Sequence, residues 1–338
     1  MRRPRYAGRN PRAFHEKYKE LQPERYAADV ARVLAAGKTP AGMHRPIMVD
    51  EILAVLAPRS GEVAVDCTLG FGGHARAILE RMVPGGRLLG LDRDPLELPR
   101  AEARLREAGF AADVFTAHRT NFAGLAQVVA SASADGVDLV LADLGVSSMQ
   151  IDNPARGFTF KDAAPLDMRM NPLRGLPASA WLARMSAADL ATVLVTNADE
   201  PHAEVIAARV AGQAFATTRD FADAVRAAVV TARPRTAAED VERSVRRVFQ
   251  AVRIAVNDEF GALDALLRAL PLVLRPGGRV AILTFHSGED RRVKKAFQTG
   301  ERDGVYAEVS AAVIRASAEE TRANPRASSA KLRWARRA

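Results

Sequence analysis

Asp66 ends the apolar run Val63-Ala-Val-Asp66, and Gly70, Gly72 and Gly73 follow it within seven residues. A strand running into such a turn lets backbone N–H groups close on a ligand, because glycine has no Cβ to hold the ligand away. Twenty residues after Gly72, a second apolar run, Leu88-Leu-Gly-Leu-Asp92, ends in another acid. At that spacing a nucleotide fold presents a carboxylate to ribose hydroxyls. The turn Gly70-Phe-Gly-Gly-His-Ala75 also satisfies G-x-G-x-x-A, so the glycines alone fit a dinucleotide as well as S-adenosylmethionine. Asp66 favours S-adenosylmethionine, since a carboxylate at the strand end can order the loop and meet the amino group of a methionine moiety. His74 opens the helix that follows.

The chemistry expected beside this cofactor is methyl transfer to an amine. The run Leu139-Val-Leu-Ala-Asp143 is followed by Leu-Gly-Val-Ser147-Ser148-Met-Gln150, which puts an acid, a glycine and two hydroxyls where open α/β sheets bind ligands. An exocyclic base amine has its lone pair drawn into the ring, so an enzyme must hold its N–H with acceptors and aim the nitrogen at the methyl donor. Asp143 is the candidate catalytic residue, with Ser147 and Ser148 on the substrate side; the plainer alternative is a strand-end cap and a turn. Cys67 is the only cysteine and lies inside the cofactor loop, which disfavours covalent attack on a pyrimidine and excludes an intrachain disulfide or multi-cysteine zinc site. No metal is expected. Arg169, in Pro165-Leu-Asp-Met-Arg-Met-Asn171, is a candidate phosphate or base contact. Arg246, Gln250, Arg253 and Asn257 recur at helical spacing, so Arg253 and Asn257 share either a substrate-facing or a solvated face. His286, in Thr284-Phe-His-Ser, leaves a later strand at the same sheet edge and is a further substrate candidate.

Alternating strands and helices must position these groups. Strands are predicted at 63–68, 86–92, 111–117 and 137–143, with helices at 73–82 and 95–108 and an amphipathic helix over 47–56 closed by Pro58. Residues 154 to 245 read as helical throughout. A long helix from Val241 through Leu274, interrupted only late by Pro271, leads to a fifth strand at 279–285, and segments 304–314 and 331–336 form a closing antiparallel pair. The expected architecture is a doubly wound α/β sheet over 44–153 and 246–338, an inserted all-helical domain over 154–245, and a basic arm over 1–43 that carries a helix at 13–36.

Among 338 residues, 48% are hydrophobic and 26% charged, with no apolar run long enough to span a membrane. The basic N-terminus lacks an apolar segment behind it, which argues against a secretory signal, and the lone cysteine suits a reducing, cytoplasmic location. Of the net charge of +9, residues 1–45 carry +7 and residues 322–338 carry +6, leaving −4 on the body. Basic ends around an acidic body suggest arms that neutralise nucleic-acid phosphates.

The segments HRPIMVDEIL, DCTLGFGGHA, GLDRDP, DLGVSSMQIDNPARGFTF, PLDMRMNP, FQAVRIAVNDEF, LRPGGRVAILTFHSGEDRRVKK and NPRASSAKLR resemble the bacterial 16S rRNA cytosine-N4 methyltransferase family called RsmH or MraW, from about residue 44 to the end. The resemblance implies a Rossmann-like class I methyltransferase sheet with a helical insertion. It also implies dependence on S-adenosylmethionine and methylation of a decoding-centre cytosine in 16S rRNA or the small ribosomal subunit. By that resemblance Gly72, Gly73, His74, Asp92, Phe122, Asp143 and Gln150 match cofactor-binding positions. The chain departs from the family in its arm and at Asn197–Glu200, Arg243–Arg247 and Ser287–Asp290, all away from the cofactor loop. Those departures keep two alternatives open, an enzyme acting on another RNA or DNA amino group and a catalytically silent RNA-binding assembly factor. A monomer and a homodimer both fit.

Overall fold

The computed structural model describes residues 46–133 and 135–338. The basic arm, its expected helix at 13–36 and its expected phosphate contacts lie outside these residues. Within them, helix α1 (Val49–Leu56) precedes β1 (Val63–Asp66), α2 (Gly73–Met82), β2 (Arg87–Asp92), α3 (Leu98–Glu107), β3 (Phe115–Arg119), α4 (Leu125–Ala132) and β4 (Val137–Asp143). After α5 (Ser148–Asp152) come the helices α6 (Ala178–Leu182), α7 (Ala187–Ala198), α8 (Ala203–Val210), α9 (Thr218–Ala232), α10 (Ala238–Asn257) and α11 (Glu259–Val273). The chain closes with β5 (Leu274–Thr284), α12 (Ser287–Arg302), β6 (Tyr306–Val309), α13 (Ala318–Ala323) and β7 (Lys331–Arg337).

The strands form one sheet in the order β3-β2-β1-β4-β5-β7-β6. The first five are parallel, and β7 runs antiparallel to both β5 and β6. This is the doubly wound α/β sheet that the strand pattern predicts, and the Rossmann-like class I methyltransferase sheet that the family resemblance implies. All four side chains of β1 are buried, as a central parallel strand covered on both faces requires. One face packs Val65, Val140 and Ile282 against α4 and α11, and the other packs Ala64, Leu88 and Leu139 against α1 and α2. The chain reverses its winding between β1 and β4, so their carboxyl ends part and open a crevice. Asp66, paired to Gly90 and Leu141, and Asp143, paired to Leu283, end at that crevice.

A third apolar cluster belongs to the helices between β4 and β5, with Leu190, Ile206, Phe221 and Val225 packed on Val241, Val245, Val248 and Val252 of α10. The last four recur on one side of the helix, the stripe that binary patterning predicts.

Four expectations shift. The segment 157–177 is not helical, because Gly157 is held at φ +73°, where an added Cβ would run into the Pro165 carbonyl, and the prolines at 165, 172 and 177 withhold N–H donors. The long helix breaks at Asp258 and not at Pro271. Asp258 is left-handed at φ +48° and its N–H closes α10 onto Ala255 and Ile254, while Pro271 falls in the last turn of α11. Strand β3 begins at Phe115 because Val114 N–H turns back to the Ala111 carbonyl. Four of the C-terminal cations are engaged internally: Arg333 and Lys331 of β7 meet Asp290 of α12, Arg336 meets Glu308 of β6, and Arg326 meets Asp152 at the end of α5.

Candidate active site

Three carboxylates line the crevice, each brought there by a strand end. Asp66 is buried and accepts the Thr68 N–H at 3.0 Å. Burial pushes its carboxyl up to about 6, against the opposing pull of His74 and the Thr68 N–H. Asp92 accepts the Gly70 N–H and the Asp94 N–H, each at 2.8 Å, and burial, outweighing these two bonds, also raises it to about 6. The Gly70 bond ties the glycine loop to the second strand, and one lone pair on each Asp92 oxygen is left over for a ligand. Gly70 and Gly72 are left-handed at φ +50° and +87°, and Gly73 is the first residue of α2.

Asp143 differs from the other two. Its side chain is 28% exposed as a whole, yet Oδ1 is buried with no hydrogen-bond partner among the described residues. Oδ2 stands 3.7 Å from His74 Nδ1, and its backbone N–H donates to Thr68 Oγ1 at 2.7 Å. Burial, and after it the nearby Glu289 carboxylate, push Asp143 up to about 7. His74 Nε2 lies 2.9 Å from the Ile47 carbonyl, and burial lowers the ring's pKa, which keeps the imidazole neutral at neutral pH. Burial raises the Cys67 thiol well above its ordinary range, so it is no thiolate nucleophile.

Leu144 and Gly145, which follow Asp143, line a small pocket with Arg93, Phe122, Met170, Glu259 and Glu289 among others. Phe122 begins a short 3₁₀ turn whose N-cap is Asn121, and it packs on the β-sheet core. Ser147 caps α5 in a reciprocal bond with Gln150, which accepts the Ser147 N–H at 3.0 Å; Ser148 is the first residue of that helix.

The remaining expected contacts are engaged internally. Gln150 Nε2 donates to Asp94 at 2.9 Å, so both ends of its amide are occupied. Arg169 grips Asp167 with Nε at 2.9 Å and a terminal nitrogen at 2.7 Å. Arg253 makes two 2.8 Å bonds to Glu259, and Asn257 is buried, bonding the Met170 N–H and the Met168 carbonyl. The polar face of α10 is neither solvated nor open there; it ties the 168–170 loop to the sheet edge. His286 turns its Nε2 to Glu289 at 3.2 Å, with its ring 5.8 Å from that of Phe260.

Two groups do more here than residue pattern assigns them. Glu289, three residues after His286, has the spacing of a helix-start cap, which is the signal that could have found it. Asp94 is fully buried and does more than cap the turn at Leu96: its Oδ2 accepts both Gln150 and Arg156 Nη1, the latter at 2.8 Å. Arg156 passes the connection on to the Arg169 and Met170 carbonyls. Asp94→Asn leaves that guanidinium buried without its counter-charge, so urea unfolding should show a loss of about 3 kcal/mol. A loss under about 1 kcal/mol, the range of a surface pair, would mean the network contributes little.

The profile of the MraW methylase family matches residues 41–338. The chain is 47% identical over 340 residues to "Ribosomal RNA small subunit methyltransferase H 2" of Alkaliphilus metalliredigens, covering 99% of this chain and 97% of that one. It is also 47% identical to "Ribosomal RNA small subunit methyltransferase H 1" of Lachnoclostridium phytofermentans, covering 99% and 92%. With "Ribosomal RNA small subunit methyltransferase H" of Heliobacterium modesticaldum the identity is 41%, covering 86% of this chain and 97% of that one. The first two alignments take in nearly the whole chain, so its basic arm falls within the length shared with those relatives.

Proposed function

The chain belongs to the MraW methylase family, and on that premise we propose that it methylates the N4 amine of a cytosine in 16S rRNA of the small ribosomal subunit, near the decoding centre. It is a methyltransferase that uses S-adenosylmethionine, which supplies an electrophilic methyl group on a cationic sulfur. The observation that carries the reading is the Asp143 Oδ1 in the crevice between β1 and β4, buried with no hydrogen-bond partner among the described residues. The site fits this cofactor in charge. Three acids raised by burial face one crevice, and a ligand bearing ammonium and sulfonium charges relieves that cost.

Asp66 would meet the ammonium and Asp92 the ribose hydroxyls, while Gly70, Gly72 and Gly73 would let the loop backbone come close to the cofactor, with the Gly70 N–H kept by Asp92 and the Gly72 N–H by the Leu69 carbonyl. His74, Phe122 and Gln150 would hold the loop walls around them. Asp143 accepts an N–H of the cytosine amine, holding the nitrogen in line and keeping its lone pair available. Ser147, Ser148 and the pocket beyond Gly145 would receive the base. The 157–177 loop and the helices packed on α10 would form the substrate-recognition part, with Arg169, Arg253, Asn257 and His286 shaping its inner edge from their internal pairs. The basic arm would contact rRNA phosphates. No helix of the described residues is long and apolar enough to cross a membrane, and we place the enzyme in the cytoplasm with its substrate.

The test is transfer of labelled methyl from S-adenosylmethionine to small ribosomal subunits from cells lacking the protein, followed by nucleoside analysis. Labelled N4-methylcytidine is expected. Label in another nucleoside moves the target, and no label on subunits, free RNA or DNA turns the reading to a binding factor.

A further inference from the structure

Asp143 is fixed at the crevice by more than its strand. Where β1 and β4 part, the Cys67 N–H still donates to the Leu141 carbonyl at 2.8 Å. The next N–H on that edge of β4 belongs to Asp143, and its acceptor is a side chain, the Thr68 hydroxyl Oγ1 at 2.7 Å. That hydroxyl in turn donates to Asp66 Oδ1 at 3.4 Å. One half-buried hydroxyl therefore stands between the acid that ends β1 and the acid that ends β4. The cofactor loop does not depend on it. Thr68 N–H bonds Asp66 at 3.0 Å, Leu69 N–H the Leu91 carbonyl at 2.9 Å, Gly70 N–H Asp92 at 2.8 Å and Gly72 N–H the Leu69 carbonyl at 2.7 Å. All four donors are backbone groups, which a change of side chain at position 68 leaves in place.

Resting on the methyl transfer proposed above, we propose that Thr68 is a positioning residue for that reaction, its hydroxyl a brace that sets the amine acceptor Asp143 against the cofactor acid Asp66. In the transfer a nitrogen–carbon bond forms and the carbon–sulfur bond breaks with its electron pair left on sulfur. One N–H proton passes to Asp143 and from there to water. Nitrogen, methyl carbon and sulfur must lie in line, so the rate depends on how the group holding the amine is placed against the groups holding the cofactor. Asp66 is on the cofactor side, Asp143 is on the amine side, and Thr68 is bonded to both. A methyl group in place of the hydroxyl cannot sit 2.7 Å from the Asp143 nitrogen, because carbon contacts settle at about 3.5–4.0 Å. Without the hydroxyl the end of β4 draws back and its N–H loses its acceptor, while the cofactor loop keeps its backbone ties.

Thr68→Val keeps the shape of threonine without the hydroxyl, and Thr68→Ser keeps the hydroxyl on a smaller side chain. On small ribosomal subunits Thr68→Val should lower kcat about thirtyfold, with the Kd for S-adenosylmethionine and the KM for RNA within about threefold of wild type. Thr68→Ser should recover most of that kcat. Amide hydrogen exchange at Asp143, followed by NMR in the full-length protein without RNA, should quicken about tenfold in Thr68→Val and stay near wild type in Thr68→Ser. A Thr68→Val kcat within about threefold of wild type, or a Thr68→Ser enzyme as slow as Thr68→Val, would overturn the proposal. A loss confined to cofactor affinity would overturn it too, since Thr68 would then serve the loop alone. Should Thr68→Val not fold, Thr68→Ala takes its place with the same expectations. A wild-type chain that transfers no methyl group would sink the proposed function, and the exchange readout would then decide the brace: faster exchange at Asp143 in Thr68→Val upholds it, and unchanged exchange overturns it.

Discussion

Asp143→Ala should lower kcat by about a thousandfold at saturating cofactor, close to 4 kcal/mol of transition-state stabilisation. Asp143 is the strand-end acid whose buried Oδ1 has no partner among the described residues, so deletion removes an acceptor that the fold leaves unused. The loss should fall on kcat more than on KM for RNA, because the bond to the amine strengthens as the nitrogen becomes positive in the transition state. Asp143→Asn keeps one acceptor oxygen and the volume but cannot take the proton, and its kcat should fall between the two. Steady-state rates on small subunits, with cofactor affinity measured separately by calorimetry, separate the chemical role from cofactor binding. An alanine variant within about threefold of wild type would remove Asp143 from the mechanism, and the base would have to be sought among Ser147, Ser148 and the pocket wall.

How far this site could be read without coordinates differs from residue to residue. Asp66, Asp92 and Asp143 were legible because one local pattern, an apolar run ending in an acid, fixes both the strand and the edge at which the acid emerges. The positive φ of Gly70 and Gly72 follows from the same turn. Helical spacing placed Arg253 and Asn257 on a shared face of α10 but could not say what covers that face. The covering is the 168–170 loop and Glu259, and Glu259 arrives only because the helix breaks at Asp258. A left-handed aspartate leaves little mark in a sequence, whereas Pro271 leaves a conspicuous one and yet stands inside α11, which runs on past it to Val273. Asp94 stands directly before Pro95, where an acid caps a helix start, and its main partners are 56 and 62 residues away. Long-range pairing of this kind is a property of the assembled fold.

Cofactor affinity should rise about a hundredfold between pH 5.5 and pH 7.5, with protons released on binding near pH 6. Asp66 and Asp92 stand near 6 and Asp143 near 7 in the free protein, all above the ordinary aspartate value of 3.8. An acid raised on folding binds more protons folded than unfolded. Its contribution to stability is therefore fully present below pH 3.8 and is lost as pH rises through 6 and 7. A cationic ligand reverses that loss by pulling the same three groups back toward ionisation. The gain in melting temperature from saturating S-adenosylmethionine should accordingly be larger at pH 7.5 than at pH 5.5. S-adenosylhomocysteine keeps the ammonium and ribose but lacks the charge on sulfur, so its pH dependence should be shallower, the difference reporting on the acid nearest the sulfur. Calorimetry in two buffers of different ionisation heat counts the protons directly. An affinity flat across this range, with no proton release, would mean that the three carboxyls are already ionised in the free crevice and that burial is offset there by solvent and not by the ligand.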